Sequence, residues 1–201
     1  MSKFQGIISD IENRRNRAEN GLFNCIPCPF ERLSNYWPGI EQGKYYLTSA
    51  NAKVGKSHIT DYMFMYHPYQ FIKQTMTDID IKVLYFSLEM PESEKIYQAL
   101  SHFIYIDSGN KLSYSPRELR SVKKALSPDM FYHIKKYEPF FNNYLDKVQY
   151  IDGIRNRHEI NKYIWTYAER NGTIIKEKEN IYYKPNNPNL YTIIIVDHIS
   201  L

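Results

Sequence analysis

Apolar residues recur in two rhythms along this chain, and their alternation predicts the fold. Phe4, Ile7, Ile8 and Ile11 follow helical spacing at the start of residues 3–20, the polar run ENRRNRAEN follows them, and Gly21 supplies a stop. One short apolar face cannot build a core alone, so this helix is expected to dock on its own domain or on a neighbour. CIPCPFERLSNYWPGIEQG is rich in Pro and Gly and reads as a structured loop with a short helix at Glu31–Asn35. Lys44–Ser49 (KYYLTS) is aromatic, apolar and β-branched and predicts a strand. From Ser57 to about Tyr66 the pattern is helical, with Ile59, Met63 and Tyr66 on one face and Pro68 as the interruption. Lys82–Ser87 predicts a second, apolar strand, and Pro91 to about Ile106 a helix. Within residues 107–147, SPRELRSVKKAL predicts a helix and the remainder reads as aromatic and irregular. Val148–Ile151 predicts a short strand, His158–Arg170 a helix closed by Asn171-Gly172, and IKEKENIYYKPNNPN (residues 175–189) a polar hairpin with its tip at Pro185–Asn189, within residues 173–190 that read as an insertion. Tyr191–Val196 (YTIIIV) predicts a strand ending beside Asp197. Apolar strands alternating with helices predict an α/β fold with a mainly parallel sheet flanked by helices.

Composition narrows the class. The chain has 201 residues, 43% of them hydrophobic, enough for an ordinary core and against wholesale disorder. No apolar run is long enough to span a bilayer, and MSKFQGIISDIENRR lacks the apolar centre of a secretory signal, so no membrane partner and a cytoplasmic location are expected. The net charge of +4 comes from 26 basic and 22 acidic residues and gives nucleic acid only slight support. The 19 tyrosines are spread along the chain and read as half-buried packing residues or a codon bias. Cys25 and Cys28 form a lone CxxC; a structural zinc site needs four ligands, so these read as reduced cysteines in a loop.

Three places carry candidate chemistry. Ala50-Asn51-Ala52-Lys53-Val54-Gly55-Lys56-Ser57 lies between a predicted strand and a predicted helix, the context a phosphate-binding loop requires. Gly55 allows close backbone approach, Lys56 is placed to reach the β- and γ-phosphates, and the Ser57 hydroxyl to hold Mg²⁺. Ala50 stands where the usual pattern has its first glycine and adds only a methyl; the other reading is a GKS on an ordinary turn. Glu89 falls just past the carboxyl end of a strand, where it can orient or deprotonate an attacking water, or merely complement a helix dipole. Asp197 directly follows an apolar strand, the usual position of a carboxylate acting through water on Mg²⁺, or of a cap on the next turn.

Taken together these residues resemble the DnaB-like replicative helicases, which have a RecA-like ATPase core. FSLEM followed by Pro91-Glu92 is similar to the family's segment carrying the catalytic glutamate. Ile26-Pro27, Phe30, Leu33, Gly39-Ile40 and Gly43 resemble the segment leading into its loop, where Ala also occurs at the first position. IDGIRNRHEINKYIWTYAERNG resembles the strand and helix before the metal-binding strand. The resemblance covers roughly residues 25–201 and is weakest at 107–147 and 173–190.

The resemblance implies an ATP- and Mg²⁺-dependent motor on single-stranded DNA. Glu89 and Lys56 would be catalytic, residues 50–58, through His58, would hold the nucleotide, and Ser57 and Asp197 would serve the metal. Residues 1–24 would be a linker helix and 25–201 a partial RecA-like core, self-associating through residues 3–20 into a ring, a hexamer in this family. Primase or a helicase loader would be further partners, in a bacterial cytosol or a phage-infected cell. DNA-binding loops and an arginine finger come later in the family than Asp197, so weak hydrolysis is expected of this chain. Two alternatives stay open: a RecA-like nucleotide-binding regulatory or assembly protein, and another phosphate-loop enzyme such as a kinase.

Overall fold

Helical spacing at the N-terminus yields α1 (Lys3–Glu19), closed by Gly21 at φ 72°. The computed structural model describes residues 3–51, 53–177 and 180–197, and the chain divides into two compact units, residues 1–81 with 187–192 and residues 82–186 with 193–201.

In the first unit, the C-terminal half of α1 is tied down. Arg17 makes two bonds to Asp78, at 2.8 and 3.0 Å, and a third to the Phe23 carbonyl, while Arg14 pairs with Glu41 at 2.9 Å. Its apolar stripe is bare: Phe4 is 70% exposed and Ile11 55%. Two-residue strands β1 (Ile26–Pro27) and β2 (Gly39–Ile40) pair antiparallel on either side of α2 (Glu31–Ser34). Gly39 is required there: at φ 147°, an added Cβ would stand 2.0 Å from the Ile26 carbonyl oxygen.

The expected strand at Lys44–Ser49 is absent. Tyr46 alone turns inward, its ring 5.6 Å from those of Trp37 and Phe64, and its hydroxyl accepts from Glu41 N–H and donates to the Gly39 carbonyl. Tyr45 and Leu47 point to solvent, 82% and 77% exposed. The β-forming side chains are present, but among the described residues no strand offers this segment a ladder.

Helix α3 (Lys56–Asp61) also differs from expectation, because Pro68 does not end it. A π-turn at Tyr62–Tyr66 widens the helix and α4 (His67–Gln74) continues from it, with Pro68 in the first turn of α4. Met63, Phe64, Met65, Tyr66, Tyr69 and Phe71 are all buried, and burial of this continuous run holds the irregular helix together. Ile59, expected on the same face, is 44% exposed.

The second unit is built on a three-stranded parallel sheet in the order β4 (Val148–Ile151), β3 (Asp80–Ser87), β7 (Leu190–Asp197). Val83 is opposite Val148 and Phe86 opposite Ile151. Alternation sends Leu84 and Phe86 to one face, against Ile160, Tyr163, Ile164 and Tyr167 of α9 (Arg157–Asn171). On the other side, Tyr85 stacks on Tyr150, whose hydroxyl shares a 2.7 Å hydrogen bond with that of Tyr144; Tyr144 packs edge-on against Phe103. Phe103 belongs to α5 (Glu92–Asp107) and Tyr144 to α8 (Glu138–Lys147). Helices cover both faces, which explains why the central strand is continuously apolar from Val83 to Phe86.

Three further expectations need correcting. SPRELRSVKKAL gives only one helical turn, α6 (Pro116–Leu119), after a capping box of Ser115 and Glu118. Ser121 then takes φ 52°, which breaks the helix, and Arg120 pairs back to Glu94. The stretch read as irregular instead holds α7 (Pro128–Lys136) and α8, whose prolines sit in the first turn, where a missing N–H costs nothing. The hairpin is present as β5 (Gly172–Glu177) and β6 (Asn180–Pro185), with Glu177 opposite Asn180. Its strands join through residues 178–179, outside the described residues, and Pro185–Asn189 instead leads from β6 into β7.

Candidate functional site

The loop before α3 contains left-handed backbone positions. Lys53 takes φ 64° and Gly55 φ 92°, both left-handed, and Gly55 is the N-cap from which the helix starts at Lys56. The Ile59 N–H closes a helical bond to the Gly55 carbonyl at 3.0 Å. Lys56 and Ser57 are half-buried, whereas Ala50, Asn51, Lys53, Val54 and His58 are exposed; Ala52 lies outside the described residues. The helix half of the expected strand-loop-helix context is therefore in place and the strand half is missing.

Glu89 and Asp197 belong to the second unit. Glu89 is exposed, two residues past the end of β3 and three before α5. The first-turn acids of α5 are Glu92 and Glu94, so complementing that dipole falls to them rather than to Glu89. Asp197 closes β7 beside the end of β3: its carbonyl accepts from the Leu88 N–H at 2.8 Å, which brings Glu89's loop to the same carboxyl edge. Within this unit the sheet thus gathers the two expected acids at one end of its strands.

The Asp197 carboxylate also has a setting the sequence reading did not anticipate. The Tyr85 hydroxyl donates to Oδ2 at 2.6 Å, and Nζ of Lys95 lies 3.5 Å from the same oxygen. Lys95 is 0% exposed and its ammonium sits 4.6 Å from the centre of the Tyr85 ring, so a carboxylate and a π-face are among the groups that replace its water. The signal was available in the helix: Lys95, Ala99 and Phe103 are spaced by four, which places Lys95 on the buried face of α5.

A hydroxyl and a carboxylate are the hard oxygen donors that Mg²⁺ takes, and Asp197 keeps 13% of its side chain exposed. Among the described residues no group of three or more His, Cys, Asp or Glu side chains is arranged to hold a metal by itself. A Mg²⁺ bound through one carboxylate would therefore come with phosphate and water oxygens, the manner in which this ion is ordinarily held. Cys25 and Cys28 are free thiols. No helix among the described residues is long and apolar enough to cross a membrane.

The chain matches no protein-family model, no curated protein and no solved structure.

Proposed function

We propose that the chain is the ATP-binding portion of a DnaB-like replicative DNA helicase, a RecA-like core that couples ATP hydrolysis to movement on single-stranded DNA and duplex unwinding. The observation that supports this most is the turn at residues 53–55, where left-handed Lys53 and Gly55 lead directly into a helix that begins Lys56-Ser57. A left-handed turn that runs directly into a helix is the kind of backbone a phosphate-binding loop uses. In this reading Lys56 neutralises the β- and γ-phosphates. Ser57, in the first unit, and Asp197, in the second, are each a residue that would serve Mg²⁺, an ion that would withdraw charge from the phosphate oxygens. Glu89, exposed at the sheet's carboxyl edge, orients the attacking water. The bare stripe of Phe4, Ile7, Ile8 and Ile11 is the surface that packs on the next subunit of a ring.

One observation favours the second reading, a RecA-like nucleotide-binding regulatory or assembly protein. Residues 44–49 form no strand, so the loop lacks the sheet anchor that would transmit phosphate release into the core.

ATP binding measured by calorimetry, with and without Mg²⁺, on the chain and on Lys56→Ala tests the shared premise. Loss of a charge-assisted phosphate contact is expected to weaken binding about 10- to 150-fold. Equal affinities would overturn both readings. ATPase activity that rises with single-stranded DNA separates the helicase from the regulatory protein.

A further inference from the structure

We infer that residues 117–136 form a docking surface for single-stranded DNA, with lysines on the phosphates and Phe131 and Tyr132 against the bases. The inference rests on the reading of the chain as a motor on single-stranded DNA for the identity of the strand, and it names a place where that strand lies.

The excess charge of the chain is concentrated here. Residues 117–136 hold six Lys and Arg against two Asp and Glu, a net of +4, and the rest of the chain has 20 of each sign. Arg120 is engaged with Glu94, and Glu118 turns back to accept from the Ser115 N–H. Arg117, Lys123, Lys124, Lys135 and Lys136 are exposed, and among the described residues no carboxylate pairs with them. Solution anions balance their charge, and a phosphate chain gains affinity by releasing the ions condensed on it as these lysines replace them.

The fold keeps these groups together. Leu119 of α6 and Met130 and Ile134 of α7 pack on one apolar cluster with Ile104 and Tyr114. Between the two helices Ser121 takes φ 52° and its Oγ accepts from the Leu126 N–H, which bends the segment carrying Lys123 and Lys124. With Met130 and Ile134 turned inward, residues 131, 132, 135 and 136 occupy the outer side of α7. Phe131 is 53% exposed and Tyr132 60%. Nζ of Lys135 lies 5.3 Å from the centre of the Phe131 ring, and Nζ of Lys136 lies 4.5 Å from that of Tyr132. Ring and ammonium thus repeat as pairs along the helix.

That pairing selects the partner. An acidic peptide has charge for the lysines but few flat faces for the rings. A membrane surface takes up an apolar stripe, and the stripe of α7 is already buried in the protein's own cluster. Duplex DNA offers phosphates while its base faces are stacked on one another. A single strand presents both phosphates and base faces, and every base has a face to stack.

The test measures fluorescence anisotropy of labelled oligothymidylate with the nucleotide-free full chain over a series of salt concentrations. The wild type is expected to bind this strand more tightly than a duplex of equal length, although the duplex has the higher charge density. Lys123→Gln/Lys124→Gln/Lys135→Gln/Lys136→Gln is expected to bind at least tenfold more weakly, with a log–log salt slope shallower by roughly 0.7 per lysine. Phe131→Ala/Tyr132→Ala is expected to lose at least about fivefold with the slope kept. Phe131→Leu/Tyr132→Leu serves the same comparison should the alanine variant unfold, foldedness being read from circular dichroism. A control that removes four exposed charges elsewhere, Arg32→Gln/Lys44→Gln/Lys176→Gln/Lys184→Gln, is expected to bind as the wild type. Duplex, oligouridylate or phosphatidylserine vesicles bound more tightly than oligothymidylate overturn the inference, as does a control that weakens binding as much as the lysine variant. If Lys56→Ala loses ATP while the surface variants keep the strand, only this inference falls. If Lys56→Ala keeps ATP while the lysine variant loses the strand, the nucleotide reading falls and the strand surface stands.

Discussion

Arg17 holds Asp78 by a forked pair of hydrogen bonds, 2.8 Å from one guanidinium nitrogen and 3.0 Å from the other. This clamp joins the end of α1 to the segment just before β3, and it has a pH signature. The hydrogen bonds from Arg17, and secondarily its charge, hold the Asp78 carboxyl below the usual carboxylate range. A depressed carboxylate stabilises the fold above its unfolded pKa of about 3.9 and loses that contribution as pH falls through the lower folded value. Asp78→Asn is expected to cost about 1 kcal/mol at pH 7, the pair being part-exposed and screened. The difference from wild type should shrink below about pH 3, the range beneath that carboxylate's reference value. Urea unfolding at the two pH values checks it; a gap that persists in acid would mean the pair acts through packing.

His102 and His67 predict acid sensitivity at higher pH. Burial lowers the His102 pKa to about 4. Burial also lowers that of His67, only partly offset by the 2.8 Å hydrogen bond it donates from Nε2 to the Pro27 carbonyl. Both stay neutral in the fold, so stability is full above the unfolded value near 6.5 and falls as pH drops from there. For His102, which keeps some solvent contact, the loss by about pH 4 is on the order of 2 kcal/mol. His102→Phe should flatten the melting temperature between pH 7 and pH 4.5; an unchanged slope would remove His102 from the account.

Glycine substitutions separate backbone strain from steric clash. Gly39→Ala meets the Ile26 carbonyl at 2.0 Å in a left-handed backbone and is expected to cost more than about 2 kcal/mol. Gly6 lies in α1 with nothing within 4 Å of an added Cβ, so Gly6→Ala should stabilise by about 0.5–1 kcal/mol. Denaturant midpoints of the two variants must move in opposite directions.

Gly55→Ala isolates the loop. An added methyl touches nothing, so only the φ of 92° opposes it, at about 1–2 kcal/mol. Under the proposed function, ATP affinity falls with it, because the loop is driven from the left-handed φ at Gly55. Calorimetry showing full ATP affinity in this variant would count against the loop as the phosphate cradle.

Most elements were legible because their cause is local. Strands β3, β4 and β7 are apolar runs, and α1, α5 and α9 carry helical spacing with an end signal close by. What misled were residues whose meaning depends on position. Pro68 read as a break, yet it lies in a first helical turn, as Pro128 and Pro139 do in the stretch read as irregular. Lys44–Ser49 had strand-forming side chains but, among the described residues, no strand to pair with. At the candidate site, Gly55, Lys56 and Ser57 and the edge positions of Glu89 and Asp197 were readable from spacing alone. The partners of Asp197 were not, because Tyr85, Lys95 and Asp197 meet only through the register of two strands and the rotation of a helix.

The π-turn at Tyr62–Tyr66 carries a consequence for how the loop tolerates change. One residue more than a regular turn holds means that everything ahead of it is rotated by about 100° about the helix axis relative to a continuous α-helix. A single-residue deletion there would make a more regular helix. It would also swing Lys56 and Ser57 to a different bearing while α4 stayed seated on its buried side chains. The bearing of the GKS segment on the helix axis thus depends on the number of residues in this turn, a constraint added to the burial of its side chains.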